Sequence, residues 1–470
     1  MLNLYINNLI RFDSTSISSQ LYEILKQRFT YSNPEYYKQK AMGFYVGHTP
    51  QKLYTHFIDR NIIAFSRGTI SELRKILDGN GVQCKIYDER KEGHKISYRF
   101  ERNINLYPFQ TQAINDLSAK TQGILIAPPG AGKTIMAMGV INKLKKSTLI
   151  IVHTSELLRQ WKEQIQEKTN QKTIGQIGAG KYQLENITIG MLQTLTKVNK
   201  TKMKEINNFF GIVITDECHH TPANTLFYFL NSSEAKYRYG LTATPKRKDG
   251  KEFLLKDTIS HHSIEITNSD LEQHDQYVAG DAEFIFDSNF MYDIAMDDEV
   301  KADWNMVIDA MISNEGRNLT IVNEIIKDID AGRLILVLTT RVEHCQNLQA
   351  MLEERGYKCE AVYGDPEKHH REAALRRIKE GQSRVMVATE NLAAEGLDIP
   401  ELDTLHLVIP TTNKYKLKQM TGRIRRKYDK KQLPLVKDYA DIKIGELKGA
   451  AKKRLKIYKD LGLHIRNIFL

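Results

Sequence analysis

Apolar residues along the chain fall into short runs separated by helix-period stripes, and the pattern changes character twice. Over residues 1–100, short runs such as 61–65 precede a helix-like stretch at 69–77 closed by Asp78-Gly79, which predicts a small α+β domain. Residues 123–245 then alternate strand and helix patterns, with apolar runs at 123–127, 147–152, 187–190, 211–215 and 239–242. Between them, 156–166 reads as a helix whose Leu157, Leu158, Trp161 and Ile165 share one face. Such alternation predicts a parallel sheet flanked by helices. A second alternating block runs through 334–338, 362–363, 385–389, 404–409 and 433–436. The stretch between the blocks, about 250–315, reads as irregular and is acidic from 283 to 303, with a helical element around 300–311. Residues 447–461 form a helix pattern with a Lys/Arg-rich face. No internal repeat or low-complexity tract interrupts the chain. The expected fold class is α/β: two parallel-sheet lobes in tandem, a small N-terminal α+β domain and an interlobe insert. The boundaries are 1–102, 103–255 for the first lobe, 256–316 for a linker or insert, 317–445 for the second lobe and 446–470 for a basic helix.

Composition narrows the class. At 470 residues the chain exceeds one ordinary core, and 41% hydrophobic with 27% charged residues describes a soluble globular protein. No run approaches a membrane span, and the N-terminus lacks the pattern of a secretory signal. The four cysteines, at 84, 218, 345 and 359, are too dispersed for a metal site or a disulfide framework, so a reducing cytoplasm is expected. A net charge of +11 favours an anionic polymer as partner, although a generally basic surface accounts for it equally well. Residues 1–100 hold nine of the 22 tyrosines and 15 Lys/Arg against nine Asp/Glu.

Three motifs carry chemistry. Residues 127–134 read APPGAGKT between a strand pattern and a helix pattern. A turn through Pro129, Gly130, Ala131 and Gly132 offers backbone N–H groups, Lys133 an ammonium for β/γ-phosphates, and Thr134 a hydroxyl for Mg²⁺. Ala127 stands where the common pattern has Gly. The run 211–215 ends in Asp216-Glu217-Cys218-His219, so two carboxylates reach the sheet edge where open α/β folds bind ligands. Asp216 suits the metal and Glu217 suits the attacking water. His219 has no assigned role, and His220 reads as an ordinary surface or packing residue. The pairs 261–262 and 369–370 read as solvated histidines. In QMTGRIRR at 419–426, Arg423 and Arg426 are three apart, so a helix would turn both guanidinium groups one way. They suit triphosphate charge, and a basic helix on nucleic acid fits them equally well.

With these sites named, residues 104–441 resemble the superfamily 2 helicases. The resemblance implies RecA-like lobes, an ATP cleft closed by the second lobe, and Mg²⁺. LYPFQ at 106–110 resembles the adenine-reading motif, which implies Gln110 on the base. Thr154, within the motif at 153–160, and Gln193 and Thr194 resemble strand-contacting positions of the first lobe. LTATP at 241–245, with Thr242 and Thr244, resembles the motif coupling hydrolysis to lobe movement, and Gln419 is implied in the same coupling. Thr339, Arg341 and Thr389 look like second-lobe contacts to nucleic acid, and Gly396 and Asp398 like nucleotide-coupled positions. The DECH box, the run 244–249 and the acidic insert resemble the XPB/Rad25-like branch, which includes phage recombination helicases of the UvsW type. The N-terminal hundred residues match no motif of the family.

The resemblance implies an ATP-dependent DNA helicase or translocase that unwinds or branch-migrates forked and junction DNA in recombination, repair or replication. It would act as a monomer in the cytoplasm, that of a bacterial host if phage-encoded, beside replication or recombination proteins. A duplex translocase or annealing remodeler, an RNA helicase and a nucleotide-gated clamp are the rival readings. The N-terminal tyrosines either stack on exposed bases or pack in a small sheet.

Overall fold

The computed structural model describes residues 1–102, 104–219, 223–244, 247, 249–267, 270–271, 278–286, 304–363, 368–390, 399–429 and 431–467. The chain forms two compact units, one of Met1–Ala127 with Ala131–Thr267, the other of Pro128–Gly130 with Asn268–Leu470.

The first unit holds two main sheets. The N-terminal one has five strands, in the order His56–Asp59, Ile62–Ser66, Leu9–Asp13, Leu2–Ile6 and Cys84–Asp88. Alternation along Leu2–Ile6 buries Leu2, Leu4 and Ile6, and helices Ser19–Arg28 and Ile70–Gly79 add Leu21, Leu25, Leu73 and Leu77 to the same core. A short antiparallel pair, Thr30–Ser32 with Lys52–Tyr54, stands outside this sheet.

The larger sheet has eight strands, in the order Lys181–Gln183, Gly175–Gly178, Ile187–Met191, Thr148–Val152, Ile212–Thr215, Tyr237–Thr242, Gln122–Ile126 and Ser263–Glu265. Every pairing is parallel except that of the first two strands. The central strands are buried along their whole length, which is why they read as continuous apolar runs. Helix Ser155–Lys168 buries Leu158, Trp161 and Ile165, with Leu157 only half-buried.

The second unit is built on a seven-stranded sheet in the order Cys359–Val362, Val385–Thr389, Ile335–Thr339, Thr404–Leu407, Leu435–Ala440, Gly280–Phe286 and Leu463–Ile465. All of its pairings are parallel. Separate apolar clusters cover its two faces, one around Leu336, Leu405 and Val436, the other around Ile321, Val337 and Val387.

Two expectations need correction. The stretch from 256 to 316 is not an irregular linker where it is described. Ser263–Glu265 joins the larger sheet of the first unit beside Gln122–Ile126, and Gly280–Phe286 is an inner strand of the second unit's sheet. Buried Ala282 and Phe284 alternate with Asp281 and Glu283, so half of a strand read as an acidic run. The C-terminal helix, Gly445–Asp460, is likewise integral to its lobe. It buries Leu447, Ala451, Ile457 and Tyr458, and fully buried Arg454 forks onto Asp438 at 2.7 Å through both Nε and Nη2.

Candidate functional site

Strand Gln122–Ile126 delivers the chain to the phosphate loop, and helix Lys133–Leu144 leaves it. Gly130 and Gly132 have φ of 86° and 80°, a region costly for any residue with a Cβ. A Cβ on Gly132 would also stand 2.5 Å from Gln110 Nε2. Gln110 is buried, and both ends of its amide are engaged: Nε2 donates to Ala131 O at 3.0 Å, and Oε1 accepts from Tyr107 N at 3.1 Å. In this structure Gln110 therefore braces the loop, and an amide with two N–H groups and two lone pairs can keep both partners while it meets a base.

Lys133 is the first residue of its helix. Its Nζ lies 3.3 Å from Glu217 Oε1 and donates to Ala127 O at 3.3 Å. The ammonium thus stands between the loop backbone and the DECH carboxylate, where a phosphate would compete for it.

The DECH segment follows strand Ile212–Thr215, and Glu217 takes an uncommon left-handed φ of 43°. Asp216 is buried and accepts from the Trp161 indole Nε1 at 2.7 Å and from Glu217 N at 2.9 Å. Burial, together with the adjacent Glu217 charge, pushes the Asp216 carboxyl up to about 6, against the opposing effect of the Trp161 bond. A carboxyl held this way becomes a firm anion once a dication stands beside it. Its oxygens keep lone pairs beyond the two accepted bonds. Asp216 and the Thr134 hydroxyl therefore fit Mg²⁺, which takes few protein ligands and completes its shell with water and phosphate oxygens. Among the described residues no cluster of three His, Cys, Asp or Glu could hold a metal on its own.

His219 joins the carboxylate to the threonine motif. Its Nδ1 lies 2.7 Å from Thr242 Oγ1 and 3.4 Å from Glu217 Oε2. The Thr242 hydroxyl donates to Thr244 O at 2.6 Å and accepts from Thr244 N at 3.2 Å. With its single proton directed to Thr244 O, Thr242 receives from the histidine, so we assign the ring proton to Nδ1. Arg247 braces the same segment, donating from Nη1 to Cys218 O at 3.1 Å and pairing with Asp249 at 2.8 Å. Neither Trp161 nor His219 nor Arg247 was distinguishable as a site residue by spacing. Trp161 read as one more position of an apolar stripe.

The remaining first-unit positions are ordinary in geometry. The Thr154 hydroxyl caps helix Ser155–Lys168 by accepting from Leu157 N at 3.2 Å. Gln193 is exposed and Thr194 half-buried on the short helix Leu192–Leu195, just past strand Ile187–Met191.

In the second unit, helix Lys414–Ile424 carries half-buried Gln419 and buried Arg423. The helix ends at Ile424, so Arg426 lies past its end, and the expectation of one helical face for Arg423 and Arg426 does not hold. Arg425, between them, is structural: it donates to Val278 O and Leu461 O at 3.1 and 2.6 Å. Thr339 also differs from expectation as a contact to nucleic acid. It is the last residue of its strand, wholly buried, with Oγ1 at 2.8 Å from His344 Nδ1. Burial holds that imidazole down at about 3, hence neutral. Arg341 pairs with Asp309 at 3.2 Å, and Thr389 is half-buried at the end of strand Val385–Thr389. Gly396 and Asp398 lie outside the described residues, as does His220. No helix among the described residues is long and apolar enough to cross a membrane.

Comparison with known proteins matches both lobes. A family model described as "Type III restriction enzyme, res subunit" matches residues 103–247, and one described as "Helicase conserved C-terminal domain" matches residues 317–428. The chain is 25% identical over 396 residues to "Probable helicase D10" of Escherichia phage T5, covering 82% of each chain. It is 26% identical over 366 residues to "DNA 3'-5' translocase XPB2" of Sulfurisphaera tokodaii, covering 70% of this chain and 80% of the relative. Among solved structures it is similar to T4 UvsW, with a TM-score of 0.44 at 16% identity over 99% of this chain and 98% of that one. The res-subunit model and the helicase C-terminal model, in order on one chain, with relatives named as helicase and translocase across most of its length, make it a member of the superfamily 2 helicases, a nucleic-acid-dependent ATPase.

Proposed function

We propose that the chain is an ATP-dependent DNA helicase or translocase that acts on forked and junction DNA, by unwinding or branch migration, in recombination, repair or replication. ATP sits on the loop Pro129 to Gly132, with Lys133 on its β/γ-phosphates. Thr134 and Asp216 would hold Mg²⁺, which would supply positive charge beside the phosphates when bound. Glu217 orients the attacking water. Through His219, Thr242 and Thr244 its position is tied to the segment that follows, so a change at the phosphates reaches the threonine motif. Arg423, Arg426, Gly396, Asp398 and Gln419 complete the site from the second lobe. Thr154, Gln193, Thr194, Arg341 and Thr389 line the path of the strand.

The observation that carries the branched-DNA reading is the way the N-terminal sheet is fixed to the first lobe. Arg67 is fully buried and donates to Ala235 O, Lys236 O, Asn7 O and Gln122 Oε1 at 2.6, 3.2, 3.3 and 3.3 Å. Asp257, equally buried, accepts from Tyr31 Oη and Thr55 Oγ1 at 2.8 and 2.6 Å and meets His261 Nε2 at 2.7 Å. Buried charges persist only where every partner is held in place, so this junction is rigid. A module that moves as one body with the motor's first lobe supports a role in gripping DNA ahead of the translocated strand.

The test is a panel of forked, four-way and three-stranded DNA substrates with ATP, scored for unwinding and branch migration beside an RNA fork. Equal rates on all DNA structures would reduce the reading to a generic helicase. Displacement of a third strand without unwinding would favour a duplex translocase, and stimulation by RNA alone would overturn the choice of DNA.

A further inference from the structure

The N-terminal tyrosines divide into two populations. Tyr5 and Tyr87 stack on each other at 5.0 Å, Tyr98 is buried, and Tyr31 stacks on Phe253 at 4.1 Å. These pack the fold. By contrast Tyr37, Phe44, Tyr45, Tyr54 and Phe57 are 46%, 63%, 82%, 53% and 36% exposed. All five lie between residues 36 and 58, a stretch with six aromatic residues, three lysines (38, 40 and 52) and no Asp or Glu. All three lysines are exposed.

This segment is ordered and mounted. Asn33 caps helix Pro34–Ala41, and its Nδ2 donates to Pro50 O at 2.7 Å, closing the excursion at its base. Thr49 Oγ1 donates to Gln39 Oε1 at 2.7 Å. Lys251 of the first lobe holds Glu35 at 2.8 Å, which neutralises one of the two acidic residues that flank the segment, the other being Asp59. Phe57 stacks on Phe227 at 6.0 Å, beside Tyr228, which is 66% exposed, so the aromatic surface continues onto the lobe.

We infer that residues 37–57 form a stacking surface for the unpaired bases of a DNA fork or junction. Exposed rings interleaved with lysines, without a carboxylate among them, match the chemistry of single strands: π-faces for bases and cations for phosphates. Five exposed rings within one short segment leave apolar area uncovered, which suits a binding face. The Asp257 and Arg67 junction carries it rigidly with the first lobe, so each motor step would drive it against the branch point. This inference rests on the forked-DNA reading above and names the element that meets the unpaired strand.

The test compares the full-length wild type with the Phe44→Ala/Tyr45→Ala variant, by fluorescence anisotropy. The substrates are a fork with an unpaired arm, the same fork with abasic residues in that arm, and a blunt duplex. The variant is expected to lose roughly five- to hundredfold in affinity for the fork and to match the wild type on the other two. Phe44→Trp/Tyr45→Trp should restore fork binding. Both positions are exposed, and Tyr37→Ala provides a second, independent variant; unchanged melting temperatures verify the fold. Unchanged fork affinity overturns the inference and leaves the patch to protein docking. Equal loss on all three substrates also overturns it, because bases would not be what the surface reads. The two readings fail separately. A wild type that remodels no branched DNA sinks the proposed function, whereas an active wild type with a variant that binds forks equally well sinks the stacking surface alone.

Discussion

His219 Nδ1 lies 2.7 Å from Thr242 Oγ1, and the same nitrogen faces Glu217 Oε2 at 3.4 Å. One ring proton therefore stands between the carboxylate of the DECH segment and the first threonine of the motif that follows strand Tyr237–Thr242. Removing either partner should separate hydrolysis from movement. Thr242→Val keeps the side-chain shape and deletes the acceptor. It should retain much of the ATPase rate while strand displacement falls severalfold, read as ATP consumed per base pair opened. An unchanged ratio would show that this contact carries no coupling.

Lys133→Ala and Glu217→Gln should each reduce DNA-stimulated phosphate release by about a hundredfold or more, the usual effect of removing one preorganised electrostatic partner. Both chains should remain folded, with a lower melting temperature for Lys133→Ala, which strips the partner from a carboxylate only 23% exposed. Normal turnover in either variant would sink the assignment.

Asp216 makes a prediction with a definite sign. Its carboxyl is raised from 3.8 to about 6 on folding, so the folded chain holds that proton more tightly than the unfolded chain. The associated stability is full below about pH 3.8 and is lost as pH rises through about 6. At pH 7 the buried anion is thus a burden on the nucleotide-free protein. Asp216→Asn should raise the melting temperature at pH 7 while abolishing Mg²⁺-dependent hydrolysis. In the wild type, the Mg²⁺ concentration needed for half-maximal ATPase should climb as pH falls through about 6. Trp161→Phe removes a bond that lowers this pKa, so the acidic limb should move to higher pH; a stationary limb would assign it to another group.

Asp257→Ala takes the acceptor from the half-buried Tyr31 hydroxyl and leaves buried Thr55 Oγ1 only Phe29 O at 3.4 Å. Loss of such a shared buried acceptor should cost about 1–3 kcal/mol in denaturant unfolding. Limited proteolysis should then release the N-terminal module first. Global destabilisation with the module still protected would show that the Arg67 cluster alone holds it.

Arg426→Ala should bind ATP nearly as well as wild type and lose turnover, with Arg423→Ala behaving similarly. Equilibrium binding of a fluorescent ATP analogue beside steady-state hydrolysis separates the two effects. A variant with normal turnover and weakened DNA binding would place that arginine on nucleic acid instead.

Local spacing sufficed where chemistry depends on consecutive residues. APPGAGKT between a buried strand and a helix, and a buried strand ending in Asp216-Glu217, are written in the order of side chains, because a strand's end fixes where the next few residues go. The parallel sheets were legible for a similar reason, since strands buried on both faces leave unbroken apolar runs. Elements whose meaning depends on distant partners were not legible. Gly280–Phe286 reads as acidic until strands Leu435–Ala440 and Leu463–Ile465, far later in the chain, supply its two neighbours. Thr339 reads as a surface contact until its strand runs one residue further and turns the hydroxyl onto His344. Trp161 and Asp216 are 55 positions apart, and only the packing of a helix against the sheet aims the indole N–H at that carboxylate. The sequence by itself determined the parts of an ATP-driven machine, because phosphate and metal chemistry need fixed residues at fixed local spacing. The tertiary structure decided which carboxylate is perturbed, which histidine joins it to the threonine motif, and which tyrosines face solvent, because burial and direction arise only when distant segments meet.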